Sequence, residues 1–96
     1  MERVHGMAKA THLHIDNEST NRDALTLETK SDGAASGPLM SFVRKSASPA
    51  KSDTLGKIQF KGNNDAGDTI RYASIDCVIR DVTDGSDNSR LTFTTR

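Results

Sequence analysis

The sequence has no tryptophan, one tyrosine, three phenylalanines, two prolines and a single cysteine among 96 residues. One cysteine, Cys77, forms no intrachain disulfide. Its place in an apolar alternation reads as a small buried hydrophobe rather than a nucleophile, which would need a basic and partly exposed setting. Aromatics at 4% leave little for a sugar-stacking platform or a large private core. Leu, Ile, Val and Phe together number 18 of 96, just under the level at which disorder becomes a fair guess. There is also no excess of charge of either sign: 13 basic residues balance 13 acidic ones, and the pI is near 6.8. No electrostatic footprint for nucleic acid or an anionic membrane is present. No apolar run approaches membrane-spanning length, and MERVHGMAKA at the start lacks the apolar centre of a secretory signal.

What is present is alternation. Between Asp53 and Thr95 three β-type runs are separated by Gly, Asn and Asp clusters, the pattern of an antiparallel meander. In the first run Leu55 precedes Gly56, and Ile58 and Phe60 follow with the opposite parity, so a bulge is expected at Gly56. In the second, Ala73, Ile75, Cys77 and Ile79 share one face, with Ile70, Tyr72 and Val78 on the other; such a strand wants cover on both sides. In the third, Leu91, Phe93 and Thr95 alternate with Thr92 and Thr94. Upstream, shorter alternations predict strands at THLHID (11–16), ALTLETK (24–30) and PLMSFVRK (38–45), with polar connectors between them. The apolar spacing is two wherever it is regular, so no helix is expected. The fold class is therefore all-β, short antiparallel strands in a meander, with residues 1–23 as a lead-in and 24–96 as the β-rich module.

Low hydrophobicity with neutral charge and ordered alternation leaves one explanation: other copies of the chain complete the apolar surface. Homo-oligomerisation is thus expected from composition alone. LTLETK near the start and LTFTTR at the end share a Leu-Thr-apolar-x-Thr-basic pattern, which marks borders of a unit rather than an array.

Ser48 and Pro49, an Asp-x-Leu-Gly-x-Ile-x-Phe-x-Gly strand at 53–62, Tyr-Ala-x-Ile at 72–75 and Leu-x-Phe-x-Thr at 91–95 follow one another. This set resembles a repeat-like module common in bacteriophage tail fibres and tailspikes. Such modules usually place a Gly just before the last strand, where this chain has Asn88 and Ser89; Asn tolerates the same left-handed turn. The resemblance implies a structural and adhesive segment of a virion tail appendage, made in the host cytoplasm, whose partners are its own copies in a homotrimer and other tail proteins. Around the trimer axis, Leu55, Ile58, Phe60, Ile75, Ile79, Leu91 and Phe93 are expected to form a shared interior. Host cell-surface glycan is a further expected partner, met by the turn residues Asn63, Asn64, Asp65, Asp84 and Asp87. Two other readings stay open: a non-catalytic module of a depolymerase tailspike, and a monomeric carbohydrate-binding β-sandwich.

Two groups of residues carry chemistry by type. His12 and His14 lie two apart, about 7 Å along a strand, and three parallel chains would bring six imidazoles to an axis, enough for one octahedral transition-metal ion. Some phage fibre tips resemble this arrangement. The plain alternative is two surface histidines. Asp65, Asp68, Asp81, Asp84 and Asp87 all stand in or beside Gly/Asn clusters, where aspartate caps its own backbone, so turns rather than glycosidase carboxylates are expected. No calcium loop, phosphate loop or Ser-His-Asp set is present, and no catalytic residue is assigned.

Overall fold

A computed structural model describes residues 11–35 and 37–96. It contains one three-stranded antiparallel sheet in the order β1-β2-β3: β1 (Thr54–Asn63), β2 (Thr69–Asp81) and β3 (Asn88–Thr95). All described residues outside these strands are irregular, and no helix occurs among them. The chain divides into two compact units, Met1–Leu39 and Met40–Arg96, and the whole sheet belongs to the second.

The meander expected between Asp53 and Thr95 is the observed one. The strands expected at 11–16, 24–30 and 38–45 are not formed. Alternation provides a face for burial, but a strand also needs a neighbour for its backbone hydrogen bonds, and these segments have none within the described chain.

Each connection has a local cause. Ahead of β1, residues 50–53 form a β-turn: the Asp53 N–H donates to the Ala50 carbonyl at 3.2 Å, and the Asp53 carboxylate accepts the Ala50 N–H at 3.0 Å. Its third residue, Ser52, has φ 77°, the positive angle that a type II turn requires there. Between β1 and β2, the Gly67 N–H closes a turn on the Asn64 carbonyl, and Gly67 itself sits at φ 83°. This is the three-residue hairpin in which a left-handed residue follows a type I turn. The Asn64 side-chain oxygen accepts the N–H groups of both Ala66 and Asp68 at 3.0 Å. Between β2 and β3, residues 83–86 turn with Gly85 at φ 85°, and the Asp81 carboxylate accepts the Thr83 N–H at 3.0 Å. That bond, joined by one to the Thr83 hydroxyl, holds the Asp81 carboxyl below its ordinary value of 3.8.

The β1/β2 register shifts twice. Leu55 is the extra residue between the pairs Thr54/Val78 and Gly56/Cys77, one place before the glycine where the bulge was expected. Tyr72 is the extra residue between Phe60/Ala73 and Lys61/Arg71, a second bulge that no glycine announces.

Candidate functional site

Directly paired residues of a sheet project to the same side, so the register defines two faces. One face carries the rows Phe60–Ala73–Thr95, Ile58–Ile75–Phe93 and Gly56–Cys77–Leu91, extended by Ile79 beside Ser89. The other carries Gln59–Ser74–Thr94 and Lys57–Asp76–Thr92, with Val78 its one apolar member opposite Thr54 and Arg90. The sheet thus separates an apolar side from a polar one.

Six of the seven side chains expected in a shared interior, Ile58, Phe60, Ile75, Ile79, Leu91 and Phe93, stand together on the apolar side. The seventh, Leu55, is the bulge residue at its end. Within the unit 40–96 most of this face is left uncovered. Ile58 is 38% exposed, Phe60 55%, Leu91 59% and Phe93 71%. No hydrophobic residue is buried among the described residues; the one buried side chain is Ser74, on the polar face of the central strand. Cys77, expected to be buried, is half-buried for the same reason: its row faces outward beside Gly56 and Leu91.

Partial cover comes from one residue that sequence reasoning missed as part of this surface. A Cβ on Gly56 would lie 2.8 Å from the Phe42 Cβ and 2.9 Å from its Cγ, so the Phe42 side chain rests directly on the glycine backbone. Phe42, Leu55, Gly56, Ile58, Ile75, Cys77 and Leu91 line a shallow hollow of about 260 Å³ there. The segment bearing Phe42 is tied down by Arg44, whose Nη1 donates to the Thr54 carbonyl at 3.0 Å and whose Nη2 lies 3.9 Å from Asp53 Oδ1. An alternation of apolar residues at 40–43 was the available signal, but it read as a strand.

Comparison of the chain with known protein families, with curated proteins and with solved structures found no match in any of the three. The reading of the site therefore rests on its own geometry.

The turn residues fall at two ends of the sheet. Asn63, Asn64 and Asp65 line one open hollow with Ala66 and Tyr72, the only tyrosine. Tyr72 is about half exposed, and its ring lies over Gly62, where an added Cβ would stand 3.7 Å from Cε2. The side-chain oxygens of Asn63 and Asn64 are engaged, Asn63 by the Thr69 hydroxyl and Asn64 by two backbone N–H groups. Asp84 and Asp87 belong to the β2/β3 connection, so the five residues form no single cluster. His12 and His14 are exposed, with ring centroids 6.0 Å apart, on irregular chain rather than a strand. No group of three or more His, Cys, Asp or Glu side chains that could hold a metal ion occurs among the described residues.

Proposed function

We propose that this chain is a structural and adhesive module of a virion tail appendage, a homotrimeric tail fibre or tailspike segment that serves as a shaft or connector near the host-recognition apparatus. The observation that carries the reading is the open apolar face. A Phe side chain offers roughly 200 Å² of surface. At the exposures of Phe60 and Phe93, these two rings alone leave roughly 250 Å² per chain in water. At about 25 cal/mol per Å², enclosing them is worth roughly 6 kcal/mol per chain before the costs of association. Three such faces turned toward a common axis enclose an interior that no single chain possesses, while the polar face meets solvent. Opening one subunit then exposes apolar groups of all three, so the assembly gains its resistance to unfolding from association.

The role is mechanical and non-catalytic. Its partners are further copies of the chain, adjoining tail proteins and, at the turns, host cell-surface glycan. A monomeric carbohydrate-binding sandwich would need a second sheet to cover the first, and the described residues form one sheet. The test is the molar mass of the purified chain by light scattering, before and after brief heating in detergent. A mass of three chains that survives detergent supports the proposal, and a monomeric mass at micromolar concentration overturns it.

A further inference from the structure

The phase of the backbone hydrogen bonds identifies which groups of the sheet lack partners. Arg96 donates its N–H to the Tyr72 carbonyl, whereas Ile79 uses its N–H and C=O on Asp53 and Ser52. In an antiparallel ladder successive residues turn their backbone groups to opposite neighbours. Ser74, Asp76 and Val78 therefore face β3, and Ala73, Ile75 and Cys77 face β1. Their β3 partners Thr94, Thr92 and Arg90 point inward. The N–H and C=O groups of Leu91, Phe93 and Thr95 point outward along an open edge, in the strand whose apolar side chains are the most exposed of the sheet.

A segment with matching properties forms no strand with any other described residue. Residues 25–30, LTLETK, repeat the pattern of 91–96, LTFTTR. Leu25 and Leu27 are 62% and 49% exposed, and the segment forms no strand. Laid antiparallel against β3, with Leu25 opposite Phe93 and Leu27 opposite Leu91, it satisfies three requirements in one register. Its leucines extend the apolar face, and the outward backbone groups of Leu91 and Phe93 meet those of Leu27 and Leu25. On the polar face Glu28 falls directly opposite Arg90, a cross-strand pair of opposite charge. Moving the segment by two residues places Lys30 or, in the other direction, Thr26 opposite Arg90 and loses that complementarity. A one-residue slip turns the leucines to the polar side.

We infer that residues 25–30 of one copy add to the open edge of β3 in a second copy as an antiparallel fourth strand. The donor is assigned to another copy because the trimer proposed above sets neighbouring chains against this face, and the sheet of the described residues has three strands with β3 at its edge. A donor segment and an acceptor edge at different places on one surface make a heterologous contact, which closes into a ring when the rotation permits. The inference rests on the trimer proposal and supplies its connectivity.

The test mixes two full-length chains, both carrying Cys77→Ser, one with Thr26→Cys and the other with Thr92→Cys. Positions 26 and 92 form a non-hydrogen-bonded pair in the inferred register, the closer kind of cross-strand pair. After co-refolding and mild oxidation, a mixed disulfide at 26–92, identified by peptide mass, supports strand addition; a partner carrying Lys57→Cys on the β1 edge is expected to stay unlinked. A trimeric mass without the 26–92 link overturns strand addition and leaves the trimer standing. A monomeric mass overturns both. A link that forms within one chain of the double variant, but not between chains, overturns the exchange between copies. Charge reversal gives a readout without introduced thiols. Glu28→Arg and Arg90→Glu are each expected to weaken association about 3- to 10-fold, with recovery in the double reversal. Failure of the double variant to recover overturns the register.

Discussion

Gly56→Ala is the substitution whose cost the structure specifies most closely. The new methyl would stand 2.8 Å from Phe42 Cβ, 2.9 Å from Cγ and 3.2 Å from Cδ1. These are the root of the side chain and the near edge of its ring, so rotating the ring alone does not clear the contact; the whole residue has to lift. Phe42 is 51% exposed, so about half of its surface, roughly 100 Å², is in contact. Losing that contact costs at most about 2.5 kcal/mol. If the segment gives way only partly, the overpacking cost is about 1–3 kcal/mol. Alanine returns about 0.4–1 kcal/mol by restricting the unfolded chain. The net expectation is a destabilisation of about 1–2 kcal/mol, which is to be read from urea denaturation at fixed chain concentration. The decisive comparison is a double-mutant cycle. In a Phe42→Gly background both the Cβ at 2.8 Å and the ring are gone, and Gly56→Ala is expected to be neutral or slightly stabilising. An equal loss in both backgrounds would refute the argument, because the strain would then lie in the bulge backbone and not in the contact.

Three further outcomes follow from the turns. Ser52→Gly removes an L side chain from φ 77° and is expected to stabilise the sheet by about 0.5–1 kcal/mol in the same denaturation assay, the backbone relief exceeding the added chain entropy. Asn64→Ala deprives the Ala66 and Asp68 N–H groups of their acceptor and is expected to cost about 1 kcal/mol, with faster amide exchange confined to the β1/β2 hairpin. Asp81 has a lowered folded pKa, so its contribution is fully present above the ordinary value of 3.8 and is lost as pH falls through the lower folded value. The Thr83 amide resonance is expected to titrate below pH 3.8 and to lose that dependence in Asp81→Asn.

The meander was legible because two independent signals coincide in it. Alternation marks the strands, and Gly67 and Gly85 occupy the two positive-φ positions that its hairpin connections need. Six of the seven residues expected in a shared interior fall on one face because parity alone assigns a face. Leu55 escapes parity, since it is the residue that the bulge inserts. The Tyr72 bulge left no sequence signal, as no glycine or proline stands at 71–73. The contact between Phe42 and Gly56 was illegible for another reason: it joins residues far apart in sequence, and the glycine reads locally only as a bulge residue. Asn64 was read as a surface turn residue open to ligand, yet its oxygen is committed to the backbone, a role that spacing alone does not separate from binding.

The absent strands at 24–30 and 38–45 mark the limit of alternation as a signal. Periodicity reports which face of a segment is to be covered, whereas strand formation depends on an available backbone edge. Residues 40–45 show the difference within the second unit: Phe42 covers Gly56 and Arg44 reaches the Thr54 carbonyl, yet no ladder forms, so side-chain contact is achieved without a strand. Segment 25–30 repeats the pattern of residues 91–96, and all of 91–96 except Arg96 lies in β3. The same alternation is thus a strand where β2 offers hydrogen bonds and irregular chain where no other described strand does. Supplying an edge is then the missing condition for residues 25–30, and the outward backbone of Leu91, Phe93 and Thr95 is an edge with the matching register.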